Sequence, residues 1–143
     1  MKDYKVGFIC GFFDILHDGH IDILRKAKEQ CDYLIVAVGT DEFMRTRKGR
    51  DSILSFEQRT EIMRAIRYVD QVVPETDLNK ISAYNIYHFD IMFAGDDHEF
   101  ELAYIEAARE LKRLGVKTKY IHRARSVSST LIRESIKATA ESI

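Results

Sequence analysis

Apolar positions fall along the chain in two rhythms. Tyr4 to Cys10 and Tyr33 to Val38 are nearly continuous in apolar character, as strands covered on both faces are. Gln71 to Val73 (closed by the only proline, Pro74), Ile91 to Ala94 and Lys117 to Ile121 are three further short strand candidates. Between them the spacing lengthens to the helical period, first at Ile21, Leu24 and Ala27-Lys28, then at Ile62, Ala65 and Ile66. Leu102, Ile105, Ala108, Leu111 and Leu114 form the clearest amphipathic stripe, with Gly115 placed just past a helix end. A last helix is expected from near Ser128, where hydroxyl side chains offer N-caps, fraying from about residue 139. Thr40 to Leu54, rich in Arg and Lys and without a long apolar period, reads as a mobile loop.

This alternation predicts one α/β domain over residues 1–143, a mainly parallel five-stranded sheet with helices on both faces. Right-handed crossovers then bring the strand C-terminal ends to one edge, where such sheets bind ligands.

Composition acts mostly by exclusion. With 45% apolar and 31% charged residues the chain has the balance of a soluble globular protein. Lys plus Arg numbers 22 against 23 acidic residues, so net charge predicts neither a nucleic acid nor a membrane as partner. The longest apolar runs, such as Leu34 to Val38, are far too short to span a bilayer. The opening Met-Lys-Asp-Tyr-Lys leads into a strand without a signal peptide's cleavage region, so the cytoplasm is the expected compartment. Cys10 and Cys31 have no metal-ligand spacing and read as buried, reduced thiols.

The candidate chemistry lies in the loops after the strands. The first strand runs into Gly11-Phe12-Phe13-Asp14-Ile15-Leu16-His17-Asp18-Gly19-His20. Gly11 permits a tight exit, and Gly19 a close approach of backbone to a ligand. His17 and His20, three apart at a helix start, can face one point near the positive end of the dipole and its free amides. Two imidazole donors there would stabilise charge building on a phosphate. Zinc would need further ligands that no nearby Cys or His supplies, and there is no P-loop sequence.

Gly11-x-Phe13-Asp14-x-Leu16-His17-x-Gly19-His20 resembles the H-x-G-H signature of the cytidylyltransferase-like nucleotidyltransferases. Arg123-Ala124-Arg125-Ser126-Val127-Ser128-Ser129-Thr130 resembles their R-T-x-G-I-S-[ST]-[ST] signature, and Lys48-Gly49-Arg50 with Phe56-Glu57-Gln58-Arg59 lies between, in the family's order. The glycerol-3-phosphate cytidylyltransferases look most similar. The resemblance implies a Rossmann-like domain, CTP and a phosphorylated small alcohol as substrates, magnesium carried by the triphosphate, and a homodimer. It implies that His17 and His20 contact the triphosphate and that Arg123, Ser128, Ser129 and Thr130 grip phosphates. Phe12 and Phe13 would line the nucleotide, while Lys48 and Arg50 would reach phosphates from the segment after the second strand. Asp96, in Gly95-Asp96-Asp97, and Asp14 would orient ribose hydroxyls or help hold magnesium; capping a turn is the other reading of Asp14. Arg59 and Arg67, taken to lie on one helix, and Lys80 are acceptor-site candidates; ion pairing is the alternative for the two arginines. Arg45 and Arg47 read as solvated charge.

The departures from the family pattern cluster on the acceptor side. Phe12 stands where a threonine is common, and Asp18 where an aromatic is. The chain has no Trp, its Thr76-Asp77-Leu78-Asn79-Lys80-Ile81 replaces a family N-W-E-Q-K-like segment, and His98 follows Gly95-Asp96-Asp97. Ser128-Ser129-Thr130-x-x-Arg133 also resembles an adenylyltransferase motif, so transfer from ATP is the alternative, and a non-catalytic nucleotide-binding module is a third reading.

Overall fold

A computed structural model describes residues 2–122 and 129–141. Its order is β1 (Tyr4–Gly11), α1 (Asp18–Lys28), β2 (Cys31–Gly39), α2 (Asp41–Lys48), α3 (Phe56–Arg64), β3 (Gln71–Glu75), α4 (Lys80–Tyr87), β4 (Ile91–Gly95), a single 3₁₀ turn (Asp96–His98), α5 (Leu102–Arg113), β5 (Lys117–Ile121) and α6 (Ser129–Glu141). The five strands form one sheet in the order β3-β2-β1-β4-β5, every pair parallel. No helix among the described residues is long and apolar enough to cross a membrane.

The two-residue alternation of the strands divides the core between the faces. Ile9, Leu34, Val36, Val38, Ile91 and Phe93 pack against Ile23, Leu24 and Ala27 of α1 and Met63 of α3. Phe8, Ile35, Ala37, Val73, Met92 and Ala94 pack on the other face against Tyr104 and Leu111 of α5, with Ile81, Ala83, Tyr84 and Tyr87 of α4 partly buried beside them. The crowding beside β1 leaves no room for a side chain at Gly7, where a Cβ would come within 2.7 Å of Phe93 and 2.8 Å of the Cys31 sulfur.

Three expectations need correction. Thr40 to Leu54 is not one long loop. Thr40 caps α2 by accepting from the Phe43 amide, Gly49 ends it at φ 70°, and Phe43 and Met44 are buried. Pro74 lies within β3, opposite Val38, rather than closing it; β3 is an edge strand, where the missing N–H costs no ladder bond. The stripe on α5 is displaced: Leu102, Ile105 and Leu114 are exposed, whereas Tyr104 and Leu111 are buried. The short side chains of Ala103, Ala107 and Ala108 are half-buried on that inward face.

Candidate active site

In this strand order β1 and β4 are neighbours, and the chain leaves them toward opposite edges of the sheet. Such a reversal opens a crevice beyond the strand C-terminal ends. A cleft of about 290 Å³ lies there, with Cys10 and Gly11 from β1 and Gly95 from β4 at its base. One wall comes from the α1 side of the sheet and the other from the α4–α5 side.

On the α1 side the two histidines are fixed by the helix they start. His17 is the N-cap of α1, its Nδ1 accepting from the Gly19 amide at 3.1 Å, while Nδ1 of His20 accepts from the His17 amide at 3.3 Å. An imidazole nitrogen that accepts carries no proton, so each neutral ring holds its proton on Nε2 and presents a donor there. The rings stack with centroids 3.9 Å apart, and Phe13 meets His20 edge-on at 5.4 Å. His20 lines the cleft, and His17 stands half-buried behind it. Three amides at the helix start are engaged rather than free for an anion as anticipated: Gly19 donates to His17 Nδ1, and His20 and Ile21 donate to the His17 carbonyl. Phe13 holds a left-handed φ of 50°, a strained state for an aromatic residue, which turns the chain between β1 and α1.

Lys48 and Arg47, at the end of α2, lie on the exposed rim of the cleft. Neither makes an ion pair among the described residues; the Lys48 ammonium lies 5.8 Å from the centroid of the Phe12 ring. That ring packs on Phe43 and fills the space that a side chain at Gly39 would need. Beneath the rim two charged residues hold the loops together. Asp14 is buried and accepts from the Ile53 and Leu54 amides at 2.9 and 3.0 Å, pairs with Arg133 of α6, and lies 3.8 Å from Arg50. Burial alone would raise its pKa; the Leu54 and Ile53 amides and Arg133 outweigh that and hold it below the usual carboxylate value. Arg59, 1% exposed, donates to the carbonyls of Phe12, Gly39 and Leu54 and pairs with Asp41 at 2.7 Å.

The α4–α5 wall is a cluster of paired charges. Lys80 and Glu75, both buried, pair at 2.8 Å, and the ammonium lies 5.5 Å from the centroid of the Tyr104 ring. Burial would lower the pKa of Lys80, but Cys10, where its thiol is ionised, and Glu75 raise it overall; at neutral pH Glu75 is the charge that keeps the ammonium protonated. The Tyr104 hydroxyl is 3.7 Å from the Cys10 sulfur. Burial, then Glu75, pushes the Cys10 thiol up to about 11, so at neutral pH it is no nucleophile. His98 stacks on Tyr104 at 4.6 Å and lies 3.0 Å from Glu101 and 3.7 Å from Asp97.

The structure thus brings Gly11, Phe12, Phe13, His20, Lys48 and Lys80 to one cleft. Asp14 and Arg59 are buried beneath the rim, held by the partners given above, and neither lines the cleft. Arg67 lies beyond α3 rather than on it, exposed, with its guanidinium on Tyr68. Arg50 does not line the cleft, and Asp96 is turned to His122 at 2.7 Å; Asp97, its neighbour, lines the cleft instead. Arg123 and Ser128 lie outside the described residues, as do the side chains of Ser129 and Thr130. The helix on which those two stand is tied to the β1–α1 loop through Arg133 and Asp14. Arg47, Glu75, Tyr104 and His98 were not foreseen in the cleft; the only hint was their position just after strands or on helices facing the ligand edge.

The family model described as Cytidylyltransferase-like matches residues 8–135. Glycerol-3-phosphate cytidylyltransferase of Bacillus subtilis (strain 168) is 38% identical over 127 residues, covering 88% of this chain and 92% of that protein. FAD synthase of Pyrococcus horikoshii is 40% identical over 125 residues, 84% of this chain and 81% of that protein. Among solved structures, the lipopolysaccharide core biosynthesis protein from Thermoplasma volcanium GSS1 matches with a TM-score of 0.72 at 25% identity, over 87% of this chain and 99% of that one.

Proposed function

The chain belongs to the cytidylyltransferase-like family of nucleotidyltransferases, and from that premise we propose that it transfers CMP from CTP to a phosphorylated small alcohol similar to glycerol 3-phosphate, with release of pyrophosphate. The observation that carries the reading is the pair of stacked imidazoles at the head of α1, locked as Nε2 donors at the wall of a cleft with cationic residues on its rim. In this reading the acceptor's phosphate oxygen attacks the α-phosphorus in line, the α–β bridging bond breaks, and the electron pair leaves on pyrophosphate. Positioning and charge stabilisation suffice, without a covalent intermediate. His20, with His17 stacked behind it, meets charge growing on the phosphoryl oxygens; Lys48 and Arg47 hold phosphates at the rim.

No group of three or more His, Cys, Asp or Glu among the described residues is arranged to hold a metal ion. In this reading a magnesium ion would arrive with the triphosphate, held chiefly by phosphate oxygens and water, and Asp97 is one of the carboxylates lining the cleft that could hold it. When bound, it would supply charge neutralisation on the triphosphate.

The relatives named FAD synthase favour a second reading, adenylyl transfer from ATP. Pyrophosphate release measured with CTP and with ATP, each against a panel of phosphorylated polyols, amino alcohols and sugars, separates the two. Turnover with CTP and a polyol phosphate is expected. Turnover with ATP alone overturns the cytidylyl reading, and none with any pair overturns both.

A further inference from the structure

The charges of the α4–α5 wall are not arranged to bind phosphate. Its one lysine, Lys80, is already neutralised by Glu75 at 2.8 Å. Asp97 and Glu101 add two more carboxylates to the cleft lining, both close to His98. A phosphate placed here would meet repulsion, whereas Arg47 and Lys48 on the other side of the cleft have no carboxylate partner among the described residues. An acceptor lying across the cleft therefore has its phosphate toward α2 and its other end against Glu75 and Lys80.

A buried ion pair offers such an end both kinds of hydrogen bond. The ammonium has three N–H donors and the carboxylate about four lone-pair sites; their mutual bond uses one of each. Neighbouring hydroxyls can take one of each, one donating to Glu75 and one accepting from Lys80. An alkyl end would displace water from both groups and return nothing, leaving buried polar atoms unpaired. An ammonium end would be drawn by the carboxylates but would be pressed against Lys80.

We propose that Glu75 and Lys80 are the specificity-determining residues for the acceptor, and that they select a neutral end bearing neighbouring hydroxyls over alkyl and amino ends of the same length. This assignment rests on the transfer reading for the identity of the cleft.

The test measures equilibrium binding of glycerol 3-phosphate, propyl phosphate and phosphoethanolamine by calorimetry. The protein is saturated with a non-hydrolysable analogue of CTP or, in a parallel series, of ATP, and pyrophosphate release is followed separately. The native protein is expected to bind glycerol 3-phosphate about tenfold or more tighter than the other two, the direction set by a site built for hydroxyls. In the neutral double variant Glu75→Gln/Lys80→Met that preference is expected to shrink to within about threefold, with affinity for the nucleotide analogue unchanged. If the double variant does not fold, Lys80→Arg, which keeps the charge and alters the donor geometry, must still lower the preference. Equal or better binding of propyl phosphate or phosphoethanolamine, no binding of any of the three, or a preference unchanged in the variants overturns the assignment. Absence of pyrophosphate release with the preference present overturns the transfer reading alone.

Discussion

The two walls of the cleft are assembled in opposite ways. On the α1 wall His17 and His20 are oriented by amides within three residues of themselves, in a capping box that the H-x-G-H spacing carries with it. On the α4–α5 wall, Cys10, Glu75, Lys80, His98 and Tyr104 arrive from β1, β3, α4, the 3₁₀ turn and α5, and the buried pair joins the end of β3 to the start of α4. A wall built from local contacts can keep its chemistry while the rest of the fold varies. A wall built from charge pairs between elements ties specificity to stability, since removing one partner strands the other.

The strongest test of that contrast is Lys80→Met. It leaves Glu75 buried without its cation and is expected to destabilise the fold by roughly 3–5 kcal/mol. Adding Glu75→Gln removes the stranded charge, and most of that loss should return in denaturant midpoints. If the single and double variants are equally unstable, the wall is not held by this pair.

Next in size is the effect of the histidines, which should fall on rate rather than on the fold. His20→Ala and His17→Ala are each expected to lower kcat by roughly one hundredfold or more, the scale of losing a transition-state donor. His17→Asn sharpens the point, because asparagine is a good N-cap and should hold the melting temperature while the rate still falls. Near-normal turnover in His17→Ala and His20→Ala would remove the imidazoles from the mechanism. Lys48→Ala should cost about tenfold in kcat/KM, the worth of one charge-assisted contact, without a change in melting temperature. A change in melting temperature alone would make Lys48 a surface charge.

The same contrast decides what could be read in the sequence. Strand positions and the sheet's parallel topology were legible because Tyr4 to Cys10 and Tyr33 to Val38 are short and nearly continuous in apolar character, as strands buried on both faces are. The α1 wall was legible because its geometry is local. α2 was not: only Phe43 and Met44 are buried in its eight residues, too few to set a period, although Thr40 and Gly49 mark its ends. The stripe on α5 misled because Leu102, Ile105 and Leu114 are apolar but exposed, while the inward face uses Tyr104 and small alanines. Asp14 and Arg59 sit within family motifs, and nothing in spacing tells a buried brace from a ligand; only the distant amides of Ile53 and Leu54 and the carbonyls of Phe12 and Gly39 do. Glu75 and Lys80 are five apart in sequence, yet their meeting depends on how α4 leaves the edge strand.

The smallest expected effect concerns Asp14 and Asp41, which brace the rim without lining the cleft. Burial would raise the pKa of both, but the Leu54 and Ile53 amides with Arg133 for Asp14, and the Phe56 amide with Arg59 and Ser52 for Asp41, hold both below the usual carboxylate value. A folded-state pKa lower than the unfolded one means that the unfolded chain binds more protons, so stability rises with pH through that window. The contribution is complete above the ordinary aspartate value of about 4 and is lost as pH falls through the lower folded values. Urea midpoints should thus be level from neutral pH to about 5 and decline below about 4. In Asp14→Asn the decline should be shallower, because one of the two groups no longer titrates; an unchanged slope would place the acid sensitivity elsewhere. Turnover at neutral pH is the more telling readout. If Asp14→Asn keeps the melting temperature at pH 7 but loses catalysis, this carboxylate belongs to the reacting site after all, and the division between bracing and ligand-facing residues on the α1 side would have to be redrawn.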